Sequence, residues 1–357
     1  MSSSERAPAL GFIDRGRTSA GRVAFGALHA TAMIVGLLVV VPVEGARPPS
    51  GLRLVLELEK ARYAPFAPVV VDYSLRNLGD QPVSVPSAID PSFGFIKFEV
   101  TDRSGRFQPY RTGLMAHGWL QTVTLLPGAT LTGEVRIVSN QNADLLSVGQ
   151  VPGDRGAPFP FAEPGSYSVR ARFGVDGTGT PGARILESNT VTVVVREANT
   201  RDREALQLLP SRNSLAVALG GETVSGEGPV PGSEPRTLII QRWEELVERF
   251  GDTAYAPFVR LTLASYYRAD GILPKVRPDL AVAHLQSVVK SGPRFIVDDA
   301  LLGLAKAALA EGHVDKAQSA VTKLLRDFPN SENAVRARHI SDGLKAGYRT
   351  LNEIEAQ

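Results

Sequence analysis

The chain has 357 residues, with 39 basic and 37 acidic side chains and a formal net charge of +2. A balance this even supplies no general pull toward nucleic acid or acidic lipid. The absence of any cysteine excludes disulfides, thiolate nucleophiles, iron–sulfur clusters and cysteine-bound zinc.

At the N-terminus, Arg6, Arg15, Arg17 and Arg22 outweigh Glu5 and Asp14, and the stretch Val23–Val43 then carries no charge. A basic region followed by an apolar one is the pattern of an export signal. Val43 and Gly45 form a plausible −3/−1 pair for a signal peptidase. The apolar stretch, about 21 residues, is also long enough to cross a bilayer of ~30 Å as an uncleaved anchor. Residues 1–46 are therefore expected to be a signal peptide or a membrane anchor. Either way the positive-inside rule puts the rest of the chain outside the cytoplasm, periplasmic or extracytoplasmic, with membrane contact only through 23–43.

Residues 48–197 are dominated by a period of two. Leu52, Leu54, Leu56 and Leu58 face one way while Arg53, Glu57 and Glu59 mostly face the other, as in a half-buried strand. Further strands are expected at 69–75, ended by Asn77-Leu78-Gly79-Asp80, and at 83–85, 95–101, 121–126, 131–138, 165–173 and 189–195. About eight short strands with turn signals between them predict a β-sandwich or barrel. The stretch Pro164-Gly165-Ser166-Tyr167-Ser168-Val169 resembles the tyrosine corner of immunoglobulin-like domains, with Val169 in the place of the inter-sheet cysteine. The order of elements also resembles bacterial immunoglobulin-like domains, which implies an all-β immunoglobulin-like sandwich and says little of function.

Residues 198–236 read as a linker with short helices. Asp202–Leu209 is expected to be a helix capped by Asp202, Pro210 interrupts it, Ser214–Leu219 forms another turn, and Gly220–Pro235 is rich in glycine and proline like a flexible link. From 237 to 357 the period changes to 3.6. Leu238, Ile239, Trp243, Leu246, Val247 and Phe250 line one helix face. Helices follow at 256–267, 280–290, 298–311 and 314–328, and a last one starts at Ser331 and Glu332 and reaches Ile354. These helices repeat, with Ala317, Val321, Leu324 and Pro329 at a small, large, apolar and proline spacing that Ala281, Leu285, Val288 and Pro293 repeat. The pattern resembles tetratricopeptide repeats. The junctions Phe250–Ala256 and Phe328–Ala334 resemble those of periplasmic tetratricopeptide proteins such as outer-membrane assembly lipoproteins and cell-division coordinators. The resemblance implies an all-α solenoid whose groove binds a protein or peptide.

Motifs that carry chemistry are few in the sequence. The five histidines, His29, His117, His284, His313 and His339, make no H-E-x-x-H motif, and no G-x-S-x-G elbow or P-loop occurs. Gly177, Gly179 and Gly182 match G-x-G-x-x-G, but Pro181 and a strand follow where a pyrophosphate site needs a helix N-terminus, so a hairpin loop is expected. Asp298 and Asp299 read as an acidic helix N-terminus, and Glu244, Glu245 and Glu248 with Arg242 and Arg249 as a solvated helix face. No catalytic, cofactor-binding or metal-binding residue is expected, and the chain reads as non-catalytic. The expected function is a protein–protein interaction or scaffold protein of the bacterial cell envelope, with Arg260, Tyr266, Tyr267, Arg268 and Lys306 at the groove or its rim and Trp119 in an aromatic contact loop of the β domain. Tyr267 also sits where such repeats pack their cores. The alternative is a carbohydrate-binding or accessory subunit of an envelope hydrolase. Neither reading involves nucleic acid.

Overall fold

The computed structural model describes residues 51–356, apart from 87–88, 90, 92–93, 111–121, 139–158, 176–183, 210–211, 221–235, 269–276 and 330. The segment 1–46 and its apolar stretch lie outside the described residues. Among those described, no helix is long and apolar enough to cross a membrane.

A strand-rich region comes first and a helical region follows. The strands are β1 Leu52–Leu58, β2 Arg62–Tyr63, β3 Val69–Asn77, β4 Val83–Pro86, β5 Ile96–Thr101, β6 Phe107–Tyr110, β7 Thr122–Leu125, β8 Thr130–Ile137, β9 Gly165–Gly174, β10 Ile185–Glu187 and β11 Val191–Val195. They form a sheet in the order β1-β3-β8, a larger one in the order β2-β11-β9-β5-β6 with β10 on β9, and the pair β4-β7. Alternation holds where one face meets the core. On β9, Tyr167, Val169, Ala171 and Phe173 are buried while the intervening residues are not. One apolar cluster joins all three sheets, with Leu54, Leu56, Tyr73, Leu75, Phe98, Val135, Phe173 and Val193 among its members. Asn189 ties two sheets together: its side chain accepts from the Leu56 N–H at 2.8 Å and donates to the Leu56 carbonyl at 3.0 Å. The Tyr167 hydroxyl donates to the Glu163 carbonyl at 2.8 Å.

Three short strands escaped the sequence pattern: β2, β6 and β10. The two residues of β2 pair parallel to β11, and nothing so short has a period. β10 pairs antiparallel with β9, and the Val175 N–H donates to the Arg184 carbonyl at 3.0 Å. Gly177, Gly179 and Gly182 lie outside the described residues.

The helices are α1 Thr200–Gln207, α2 Arg212–Gly220, α3 Arg236–Arg249, α4 Ala256–Arg268, α5 Pro278–Ser291, α6 Val297–Ala310, α7 Val314–Asp327, α8 Glu332–Lys345 and α9 Leu351–Glu355, with a 3-10 turn at Arg294–Ile296 before α6. Each helix from α3 to α9 packs on the next, and α4 touches α6 as α6 touches α8. Thus α4, α6 and α8 form one row, and α5 and α7 each lie between two of its members.

Two expectations change in detail. Asp202 does not cap α1. Asn199 does, accepting from the Asp202 N–H at 2.7 Å, while Asp202 completes a capping box by accepting from the Asn199 N–H and pairs with Arg196 at 2.5 Å. The capping residue sits three positions before its box partner, and the sequence reading took the partner for the cap. The last helix also does not run unbroken to Ile354. Gly347, at φ 96°, ends α8, and Thr350 and Glu353 start α9 with a second capping box. A positive φ at glycine is a usual helix stop.

The strand and helical regions share a core. Ala64, Ala67, Val70, Val138 and Phe159 from the strand side join Ala205, Leu219, Trp243, Tyr255, Phe258 and Phe295 in a single apolar cluster. Ala205, Leu209, Leu215, Ala218 and Leu219 of the 198–236 segment are part of it, so α1 and α2 are packed elements. The Tyr255 hydroxyl donates to the Pro65 carbonyl at 2.9 Å. Next to it Phe66 holds a φ of 62°, a left-handed conformation that costs a non-glycine residue energy, and its ring meets Phe159 edge-on at 5.2 Å.

The polar centre of this junction is Arg136. It faces Val70 across β3 and β8, and its guanidinium donates to Asp299 at 2.5 Å and to the Phe295 carbonyl at 3.1 Å. Removing it takes that donor from the Phe295 carbonyl and strips the partly buried Asp299 carboxylate of its cation, leaving it the Asn333 amide. Arg136→Ala is expected to lower the unfolding free energy by about 2–3 kcal/mol, at the low side of the cost of breaking a buried pair because both partners keep some solvent. Urea titration checks this, and a loss well under 1 kcal/mol contradicts it.

Candidate functional site

Two features of the helical region bear on function: the end of the α4-α6-α8 row that meets the strands, and the end covered by the chain's own C-terminus.

At the strand end, the first turns of α6 and α8 converge on β8. Asn333 of α8 donates to Asp298 at 3.1 Å and to Asp299 at 2.7 Å, and Asp299 accepts from Arg136. Asp298 and Asp299 do sit in the first turn of α6, as acids favoured by the helix dipole should, but their bonds reach out to two other elements. Beside them lies a row of carboxylates on the sheet: Glu57 of β1 faces Asp72 of β3, and Asp72 faces Glu134 of β8. Like charges directly opposite one another are unfavourable. The Glu134 side chain keeps 42% of its exposure, yet lost hydration, opposed by Arg136 and reinforced by Asp298, Asp72 and Asp299, pushes it up to about 7. Burial and the Asp299 charge also raise Asp298, and burial and Glu57 raise Asp72. Among the described residues, no three histidine, aspartate or glutamate side chains are arranged to hold a metal ion.

At the other end, α9 folds back on α8 and reaches α6. Ile354 is fully buried in a cluster with Leu301, Leu302, Ala305, Leu309, Ala337 and Ile340. Gly343 makes room for it, since a Cβ there would stand 2.7 Å from Ile354 Cγ1. Lys306 lies 3.7 Å from Glu355, and the His339 ring nitrogen Nε2 is 3.0 Å from the Ile354 carbonyl. Burial of one isoleucine contributes about 2–3 kcal/mol and an exposed ion pair under ~1 kcal/mol. Leu351 packs against the same cluster, and the exposed connector is fixed by the Gly347 and Tyr348 N–H groups, which donate to the Leu344 and Gly343 carbonyls at 3.1 Å each.

The residues expected at the groove fall in different places. Tyr266 is buried edge-on to Trp243, with ring centroids 5.6 Å apart. Tyr267 is buried too; its hydroxyl bonds Glu244, and its ring stacks on His284 at 5.8 Å. Arg260 donates to the Val247 carbonyl at 2.8 Å and Arg268 to the Gly303 carbonyl at 3.2 Å, so both arginines tie helices together. Of the five, only Lys306 lies on the surface that α9 covers. Trp119 and His117 lie outside the described residues. Glu244 turns inward to Tyr267, whereas Glu245 pairs with Arg249 along α3 as expected. His284 is held well down, to about 4, by burial and the Arg260 charge, so it is neutral at pH 7. The roles of Arg136, Asn333 and Gly343 carry no signal in the sequence, and Ile354 figures there only as the end of the last helix.

The strand region has a cavity of about 300 Å³ between β5, β6 and the Phe159–Glu163 segment. Thr101, Gln108, Tyr110, Phe159, Glu163 and Tyr167 line it, and Arg103 pairs with Glu163 at its edge.

No protein-family model matches the chain, and no curated protein matches it. Among solved structures, the chain is similar to the sporulation control protein Spo0M of Bacillus subtilis at 12% identity, over 45% of this chain and 55% of that one, with a TM-score of 0.23. It is similar to a β-glucosidase of Erythrobacter marinus at 19% identity, over 40% of this chain and 15% of the enzyme, with a TM-score of 0.21. A CARDB domain of Pyrococcus furiosus, crystallised with two metal ions, matches at 14% identity over 41% of this chain and 94% of its own, with a TM-score of 0.21. The chain thus spans little more than half of the first of these proteins. Scores this low define neither its fold nor its activity.

The carboxylate row gives the fold a pH dependence. A carboxyl whose folded pKa is raised stabilises the fold below its unfolded value, and that contribution is lost as pH rises through the folded value. For Glu134 the window runs from about 4.5 to about 7. Glu134→Gln is therefore expected to raise the urea midpoint more at pH 8 than at pH 5. An equal effect at both pH values contradicts this reading of the junction.

Proposed function

We propose that the chain is a non-catalytic interaction protein of the bacterial cell envelope that holds a partner segment on the face formed by α4, α6 and α8. In this reading the helical region is a tetratricopeptide-like solenoid, the strand region is an immunoglobulin-like sandwich that buttresses it, and residues 1–46 direct the chain out of the cytoplasm. The observation that carries the proposal is α9. A short helix already lies on α6 and α8 with an apolar side chain fully inserted, so this face has the shape and chemistry to take up a helix. The serial packing of α3 to α9 supports the solenoid reading, as the small residues at α-helical contacts do: a Cβ on Gly303 would lie 3.0 Å from Leu285. The Tyr167–Glu163 bond supports the immunoglobulin-like reading.

One observation favours the second reading, a carbohydrate-binding or accessory role for the strand region. The cavity beside β6 combines the rings of Tyr110 and Phe159 with the polar groups of Gln108 and Thr101, and an apolar surface with a few converging polar groups is what a small ligand needs.

Photo-crosslinking tests the first reading. A photoreactive residue in place of Lys306 or His339, beside α9, is expected to give partner adducts in envelope extracts; one in place of Thr322, exposed on α7, is expected to give none. Adducts from Thr322 alone, or equally from all three, contradict the assignment of the face.

A further inference from the structure

We infer that the end of the strand region carrying Leu78, Leu126 and Ile185 docks on an anionic phospholipid bilayer, the one that holds the apolar stretch 23–43. The inference rests on the reading of residues 1–46 as an export segment, here a retained anchor, and extends lipid contact from that segment to the folded strands.

Five large apolar side chains are exposed among the described residues, and three of them gather at this end. Leu78 directly follows β3 and Leu126 directly follows β7. Asn77, fully buried, locks both turns. Its side chain donates to the Gln81 and Leu125 carbonyls at 2.8 Å each and accepts from the Gly79 N–H at 2.9 Å. Its backbone donates to the Ala129 carbonyl at 3.0 Å and accepts from the Gly128 N–H at 2.8 Å. The leucines are thus held out on preformed turns, so docking them orders little backbone. Ile185 stands on β10, which continues into β11 along the same partner strand, β9, and touches β1. Asn189 bonds Leu56, and the Val194 N–H donates to the Ala61 carbonyl. The two segments therefore run in the same direction, and Ile185, upstream of Asn189, lies toward Leu52, the residue paired with Asn77.

Charge points to the same occupant. The outer face of the β1-β3-β8 sheet is polarised along its strands: Glu57, Asp72 and Glu134 lie toward the helices, and Arg53 directly faces Arg76 at the other end. Both arginines are exposed, and neither pairs with an acid among the described residues. Two cations in register repel unless an anion joins them. Along β3 Arg76 stands about 13 Å from Asp72, beyond a screening length of ~8–10 Å, so the carboxylate row does not neutralise it. The exposed Asp80 on the Leu78 turn offsets one of the two charges and leaves the leucine tips flanked by a net cation. Apolar tips backed by arginines match the acyl boundary and the phosphate layer of an anionic bilayer. Chain length agrees. The Leu78 N–H donates to the Gly51 carbonyl at 2.6 Å, and the segment between Val43 and Gly51 can span no more than ~30 Å. A tether that short gives the surface an effective concentration on the order of millimolar, so a contact too weak to form in free solution is occupied here.

The test uses the full chain, whose lack of cysteine permits a single label. An environment-sensitive fluorophore is attached at Gln81→Cys, on the Leu78 turn, or at Thr322→Cys on α7 as a control; both positions are exposed. The protein is reconstituted into vesicles of phosphatidylcholine alone, or of equimolar phosphatidylcholine and phosphatidylglycerol, each carrying a lipid-borne quencher. The Q81C label is expected to be quenched in the anionic vesicles, and the T322C label in neither. Adding R53Q and R76Q is expected to weaken docking about 30-fold, at ~5-fold per arginine. Adding L78S and L126S is expected to abolish the quenching while the chain still floats with the vesicles. Equal quenching of the Q81C label in both vesicle types overturns the docking surface. Flotation without quenching at Q81C overturns it too and leaves the anchor standing. Quenching and flotation on anionic vesicles alone keep the docking surface and remove the anchor, and no flotation on either vesicle removes both. An emission change at Q81C that follows protein concentration instead of lipid assigns this end to a second copy and overturns the inference.

Discussion

The outer face of the β3–β8 pair carries the rest of the structure. In a sheet with one solvated face, Val70 would look out at water and Arg136 beside it would be an ordinary surface cation. Here Val70 belongs to the same apolar cluster as Trp243 and Phe258, and Arg136 donates into the first turn of α6. The helical row therefore takes its orientation from the sheet: α4 is held through Tyr255 and Pro65, α6 through Phe295 and Asp299, and α8 through Asn333, which binds the same aspartate as Arg136. All three contacts lie at helix N-terminal ends, and at α6 the unpaired N–H groups and the dipole favour Asp298 and Asp299. That end of the row is committed to the sheet, and the opposite end is left for α9.

Electrostatics at the junction works against itself. Arg136 is well placed for Asp299, but the row Glu57, Asp72 and Glu134 brings three exposed carboxylates side by side. A sequence selected for stability alone has no reason to keep that row beside Asp298 and Asp299, because paired and neutral groups fold better. The repulsion falls at the seam between the two regions.

Much of the architecture was legible in the sequence because it rests on local period. The alternation of Leu52, Leu54, Leu56 and Leu58 marks β1, and the spacing of Ala317, Val321 and Leu324 marks the buried side of α7. What was not legible lies where two regions meet. The run Val69-Val70-Val71 breaks strict alternation because the start of β3 is buried on both faces, while Asp72 and Arg76 further along it are exposed, and periodicity alone does not interpret a strand covered at one end. Arg136 and Asn333 look like any surface polar residues until the fold brings elements far apart in sequence together. Tyr266 and Arg260 illustrate the opposite error. An aromatic and a cation at helical spacing resemble a recognition surface, but tertiary packing turns Tyr266 onto Trp243 and Arg260 onto the Val247 carbonyl. The connection from Gly347 to Thr350 was hidden because the 3.6 period resumes after it with Leu351 and Ile354.

The central claim, that sheet and helical row form one mechanical unit, meets its most direct test in scanning calorimetry of the folded chain. A shared core predicts a single transition whose van't Hoff and calorimetric enthalpies agree. Two resolved transitions, one for the strands and one for the helices, would contradict it.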